Sequence, residues 1–79
     1  MSRHELDARR LLCPLPVIRT QNAIKALGPG DVLEVTCTDP GVLQDIPAWC
    51  RINGHRVIAS RRDGPEIIVE IEAGALSAP

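Results

Sequence analysis

The chain has almost no aromatic side chains: Trp49 stands alone, and there is no Phe or Tyr. A protein that stacks single-stranded bases needs a platform of aromatic faces, and this one has none to offer. There is no excess of either charge, since nine Lys and Arg against ten Asp and Glu leave a formal net charge of −1. No general attraction to nucleic acid or to an anionic bilayer follows from that balance. No apolar run approaches the roughly 18 residues that would span a membrane. The opening stretch MSRHELDARR has no apolar centre of the kind a secretion signal requires, so a cytoplasmic protein is expected. Three cysteines are an odd and small number, which argues against a disulfide framework and for free thiols.

What is present fits 79 residues of one small domain with an aliphatic core. HELDAR alternates, with Leu6 and Ala8 on one side, and reads as a short strand. From Pro14 to Leu27 the apolar residues take helical spacing, with Val17, Thr20, Ala23, Ile24 and Leu27 on one face, and Gly28-Pro29-Gly30 should stop the helix. Asp31 to Thr38 alternates again, placing Leu33, Val35 and Cys37 inward. Asp39-Pro40-Gly41 should open a second helix running to Asn53, kinked or split at Pro47, with Asp45 able to cap the restart and Gly54 ending it. His55 to Ser60 and Pro65 to Glu72 read as strands joined by Arg61-Arg62-Asp63-Gly64, with Ile67, Val69 and Ile71 inward on the last.

The predicted order is βαβαββ. Two helices can cover only one face of a four-stranded sheet, so the expected fold is an α/β (α+β) two-layer sandwich, with the strands added in one direction or with the hairpin folded back into a mixed sheet. The predicted ordered part is residues 4–72 of a single domain spanning 1–79, with a flexible tail GALSAP. Polar residues on the uncovered face, Glu34, Thr36, Glu66 and Glu70 among them, point to a monomer.

The residue that invites chemistry is Cys13, in LLCPLPVIRT. With Pro14 at the first helical position, Cys13 becomes the cap, and its sulfur would lie near the positive end of the helix dipole. Pro16 removes a further donor and leaves the Leu15 N–H as the one facing the sulfur. That setting lowers a thiol pKa and favours thiolate, the form that attacks electrophiles and binds metals. The other reading is a small buried hydrophobe between Leu12 and Leu15, the commonest fate of a free cysteine. The residues alone leave both open. Cys37 alternates with Leu33 and Val35 and should be inert in the core. Cys50 can be core or surface, and a resolving role would require its Cα within about 4.4–6.8 Å of that of Cys13. His55 is expected at the surface, without the spaced partners of a metal site.

LDARRLLCPLPVI, followed by GPGDVLEV, TDPG, DIPAWC and the GH before the third strand, resembles the TusA/SirA family of sulfur-carrier proteins over residues 4 to 72. The resemblance implies two helices on a four-stranded mixed sheet. It implies a sulfane sulfur accepted as a persulfide on the motif cysteine, Cys13, with Pro14 and Pro16 positioning it. The sulfur would come from a cysteine desulfurase or a rhodanese and pass to an acceptor protein serving tRNA thiolation, molybdenum-cofactor supply or sulfur oxidation. No metal or organic cofactor is implied. Arg9, Arg10 and Asp45 are candidate docking residues for such partners. Many members have glycine where this chain has Arg10, and a basic or polar residue where it has Leu12, so Arg9 or Arg10 would have to supply any cation for the thiolate. Two further readings are a non-catalytic protein- or RNA-binding module using the arginines at 9, 10, 51, 56, 61 and 62, and a Cys-Pro thiolate ligand for haem or metal.

Overall fold

The computed structural model describes residues 2–74 and has the element order β1 (Arg3–Ala8), α1 (Leu15–Ile24), β2 (Val32–Cys37), α2 (Val42–Asn53), β3 (Arg56–Asp63) and β4 (Glu66–Glu72). The sheet order is β1-β2-β4-β3, with β1 parallel to β2 and β4 antiparallel to both neighbours. The mixed alternative therefore holds, with the β3–β4 hairpin folded back so that β4 inserts beside β2. Residues 75–79, most of the tail expected to be flexible, lie outside the described residues.

The period-2 pattern explains which face is buried. Ala8, Leu33, Val35, Cys37, Ile67, Val69 and Ile71 form the inner face of the sheet, and Val42, Ile46 and Cys50 of α2 and Ile24 of α1 close over them. Thr20 is also buried, with its Oγ1 donating to the Pro16 carbonyl one turn back at 2.8 Å, so the hydroxyl is satisfied inside its own helix. Pro16 itself is fully buried.

Four local expectations need correction. The α-helix of α1 ends at Ile24, and the next residues tighten into i to i+3 bonds, Ala26 to Ala23 and Leu27 to Ile24, which keeps Leu27 packed on the core. α2 is one helix of 12 residues that passes through Pro47 and reaches Asn53, so the two-part alternative falls. Interior proline costs about 3 kcal/mol, but Val42, Ile46 and Cys50 form an i, i+4, i+8 stripe on both sides of it, and their burial offsets the lost bond. Arg61, Arg62 and Asp63 belong to β3, paired with Ile68, Ile67 and Glu66, so the turn is Gly64-Pro65 with φ +61° at Gly64. His55 is 9% exposed, not a surface residue. Its ring stacks on Trp49 at 5.1 Å between centroids, and Nδ1 accepts the Gly74 N–H at 3.0 Å, while burial lowers its pKa.

The face without helices is an ion-pair lattice. Arg3 donates to Glu34 at 2.8 Å and Glu70 at 3.2 Å, Arg61 donates to Glu70 at 2.9 Å, and Arg56 pairs with Glu72 at 2.8 Å. Ile68 lies on this face in the row of Thr36 and Arg61, yet it is only 6% exposed.

Candidate functional site

Because β1 and β2 are parallel and in register from Arg3↔Val32 to Ala8↔Cys37, the loops that leave them emerge at the same end of the sheet. One loop carries Cys13 and the other carries Asp39. In open α/β sheets such loops beyond the carboxyl ends of the strands are where ligands meet the protein.

The two loops are tied together residue by residue. The Arg10 N–H donates to Thr38 Oγ1 at 2.9 Å. The Cys13 N–H donates to Asp39 Oδ2 at 2.9 Å, and the other oxygen of Asp39 accepts the Gly41 N–H at 3.0 Å. These two backbone donors hold the Asp39 carboxyl below the usual carboxylate range. Asp39 is not the cap of α2, whose N-cap residue is Gly41 with no side-chain cap bond; its carboxylate instead ties the Cys13 loop to the turn that leads into the helix.

Arg10 sits at φ +66°, the left-handed region. A non-glycine residue there loses roughly 1 kcal/mol or more to contact between Cβ and the backbone, and the loop keeps the conformation although the residue is arginine. Glycine fits it without strain, at the cost of a more flexible unfolded chain. Arg10→Gly is therefore expected to raise the stability by a few tenths to about 1 kcal/mol. The urea midpoint measures it, and a midpoint at or below wild type would show that the loop holds no strain at this position.

Cys13 is not the helix cap. α1 starts at Leu15 with Pro14 as its N-cap residue, so Cys13 lies one residue further out, and the peptide bond between Cys13 and Pro14 is cis. The Leu15 N–H is already bonded to the Leu12 carbonyl at 2.9 Å. It is unavailable to the sulfur, contrary to expectation. Instead the Cys13 thiol donates to Oδ2 of Asp45, in the first turn of α2. Asp45 does not cap a restarted helix; it faces the sulfur.

The expected acidic thiol is overturned by this contact. Cys13 is pushed up to about 11, first by its hydrogen bond to Asp45, then by desolvation and by the charges of Asp45 and Asp39. A carboxylate beside a thiol favours the protonated form, and here no backbone donor opposes it. Nor does a basic side chain help. Arg9 is bound to Asp7 at 2.9 Å and Glu66 at 3.1 Å, and Arg10 lines a cavity of about 510 Å³ together with Asp7, Arg9, Thr38, Pro65 and Glu66. None of the ion pairs among the described residues includes Asp39 or Asp45.

The three thiols have different surroundings. Cys13 is exposed, whereas Cys37 and Cys50 are buried, and burial raises both to about 11. Pro14 is exposed at the surface beside the sulfur, while Pro16 anchors the first turn in the core. Leu12 is 74% exposed, and Leu15 and Ile18 are exposed beyond it, giving an apolar ridge next to the thiol. Of the arginines considered for RNA, Arg9, Arg56 and Arg61 are engaged with carboxylates. Among the described residues no group of three His, Cys, Asp or Glu could hold a metal ion, and no helix is long and apolar enough to cross a membrane.

Comparison with known proteins gives a consistent set of matches. The family model described as "Sulfurtransferase TusA" matches residues 4–73. The sulfur carrier protein TusA of Allochromatium vinosum is 40% identical over 60 residues, covering 76% of this chain and 79% of that protein. YrkI of Bacillus subtilis is 38% identical over 69 residues, covering 87% of this chain and 92% of its own. The crystal structure of a SirA-like protein from Desulfitobacterium hafniense superimposes with a TM-score of 0.79 at 30% identity, covering 90% of this chain and 97% of that one.

Proposed function

The chain belongs to the sulfurtransferase TusA family, and on that premise we propose that it carries a sulfane sulfur as a persulfide on Cys13. The sulfur is taken from a donor protein, a cysteine desulfurase or a rhodanese, and handed to an acceptor protein in a pathway such as tRNA thiolation, molybdenum-cofactor supply or sulfur oxidation. One observation carries the reading: Cys13 is exposed on a loop fixed by Thr38 and Asp39, while the other two thiols are in the core.

The step is a thiol exchange on a persulfide. Cys13 sulfur attacks the outer sulfur of the donor's R–S–SH, the donor's S–S bond breaks, and the electron pair leaves on the donor thiolate. The proton lost by Cys13 ends on that thiolate, so the products are the Cys13 persulfide and R–SH. No external oxidant or reductant is consumed. Delivery is the same exchange in the other direction, with the acceptor's thiol attacking the outer sulfur. Leu12, Leu15 and Ile18 offer the apolar contact that a short-lived protein encounter needs around a central reactive group.

The test is loading. Incubation with inorganic polysulfide, and separately with a cysteine desulfurase and cysteine, is expected to add the mass of one sulfur atom to the Cys13 peptide. A folded protein that takes sulfur from neither source would sink this reading and leave a binding module in its place.

A further inference from the structure

We propose that Asp45 determines which sulfur donors can use Cys13: its carboxylate holds the thiol in the free protein and releases it to a donor that presents a cationic group beside its persulfide. The inference rests on the carrier reading above and adds to it the charge of the partner.

The geometry is specific to Asp45. Its Oδ2 accepts the Cys13 thiol proton, and among the described residues that is the only hydrogen bond its side chain makes. Val42 and Ile46, which flank Asp45 on α2, are fully buried, so the helix that carries Asp45 is fixed against the core. Asp39 differs, because both of its oxygens are occupied by the N–H groups of Cys13 and Gly41 and it serves as a fixed strut. One carboxylate is therefore free to exchange partners and the other is not.

Among the described residues no Lys or Arg forms an ion pair with Asp45 or Asp39. Arg3, Arg56 and Arg61 are held on the open face of the sheet, and Arg9 is held by Asp7 and Glu66. The groups that meet an approaching donor are Leu12 and Leu15 from the α1 side, Asp39 from the β2–α2 loop and Asp45 from α2. An anionic donor meets two like charges there. A lysine or arginine beside the donor's persulfide would pair with Asp45, draw the carboxylate off the sulfur and favour the thiolate at the moment of attack. Charge complementarity thus sets both encounter and activation.

Two methanethiosulfonates of opposite charge test this directly, the trimethylammonioethyl and the sulfonatoethyl reagents. In each reaction the Cys13 proton goes to solvent, the sulfur attacks the sulfenyl sulfur, the S–S bond of the reagent breaks and methanesulfinate leaves. Rates are read by mass spectrometry on the Cys13 peptide, with the urea-unfolded chain giving the intrinsic ratio. In the folded protein the cationic reagent is expected to be favoured over the anionic one by at least tenfold more than in the unfolded chain. Asp45→Asn is expected to remove most of that preference and to speed the anionic reagent, whereas Asp39→Asn retains the part due to the Asp45 contact. A ratio equal to the unfolded value, or one that survives Asp45→Asn, overturns the inference. This outcome is separable from failure of the carrier reading, which shows as absence of sulfur loading by polysulfide whatever the charge ratio.

Discussion

Cys13→Ser is expected to lose all sulfur loading while folding like the wild type. Cys13 is exposed, and a serine hydroxyl can still donate to Asp45 as the thiol does, so nothing in the core changes. A hydroxyl is a far weaker nucleophile than a thiolate, and it cannot hold a persulfide. The reciprocal changes separate folding from function. Cys37→Ser and Cys50→Ser place a hydroxyl where the thiol is fully buried among aliphatic side chains, which costs about 1–3 kcal/mol when no partner is available. Both should load Cys13 normally at temperatures where they remain folded. Mass spectrometry of each cysteine peptide, beside urea unfolding of each variant, reads the two effects independently. Loading that persists in Cys13→Ser, or that vanishes in a folded Cys37→Ser, would assign the sulfur to a different thiol.

The separation is possible because core and site occupy different layers of the fold, and the sequence exposes those layers unequally. Ile67, Val69 and Ile71 alternate with Glu66, Ile68, Glu70 and Glu72, so the inner face of β4 could be read from period. Thr20 and Ile24 were equally readable from helical spacing, whereas Cys50, open between core and surface in the sequence, is placed in the core by the stripe Val42, Ile46, Cys50. Strand order was not readable, because two arrangements satisfy the same connections. The hairpin was misplaced because Arg61 looks like a turn residue by composition, although its charge is neutralised across the sheet by Glu34 and Glu70. Pro47 misled for a related reason: its local cost is real, but the buried stripe around it decides the outcome. At the site, the motif cysteine and the exposed loop could be anticipated from Cys-Pro-Leu-Pro and its surroundings. The electrostatics could not, since Asp39 and Asp45 lie 26 and 32 residues from Cys13 in sequence. A signal did exist. In a β-α-β unit with parallel strands the two loops share one end of the sheet, and an aspartate in the first turn after the second loop is placed to reach the first.

The same two aspartates give the most direct physical prediction about the free protein. Alkylation of Cys13 by iodoacetamide is expected to rise with pH toward an inflection near 11, well above the ordinary thiol value of about 8.5. A rise of that size cuts the thiolate present at neutral pH by roughly 300-fold. The more basic thiolate is also more nucleophilic, which with a Brønsted slope of about 0.4–0.5 recovers roughly ten- to twentyfold. The net expectation is alkylation at pH 7 on the order of twentyfold slower than that of an unstructured cysteine peptide. Stability should follow the same groups. All three thiols are held near 11 in the folded state, Cys13 by its carboxylates and Cys37 and Cys50 by burial. The unfolded chain gives up these protons first, so the folded state weakens as pH rises from about 8.5 toward 11, and the contribution is fully present below that window. Urea midpoints across that range should fall less steeply in Cys13→Ser than in wild type. An alkylation inflection at or below 8.5 would mean that the helix terminus, and not Asp45, governs the sulfur, and the free protein would then be a ready nucleophile without any contribution from its donor.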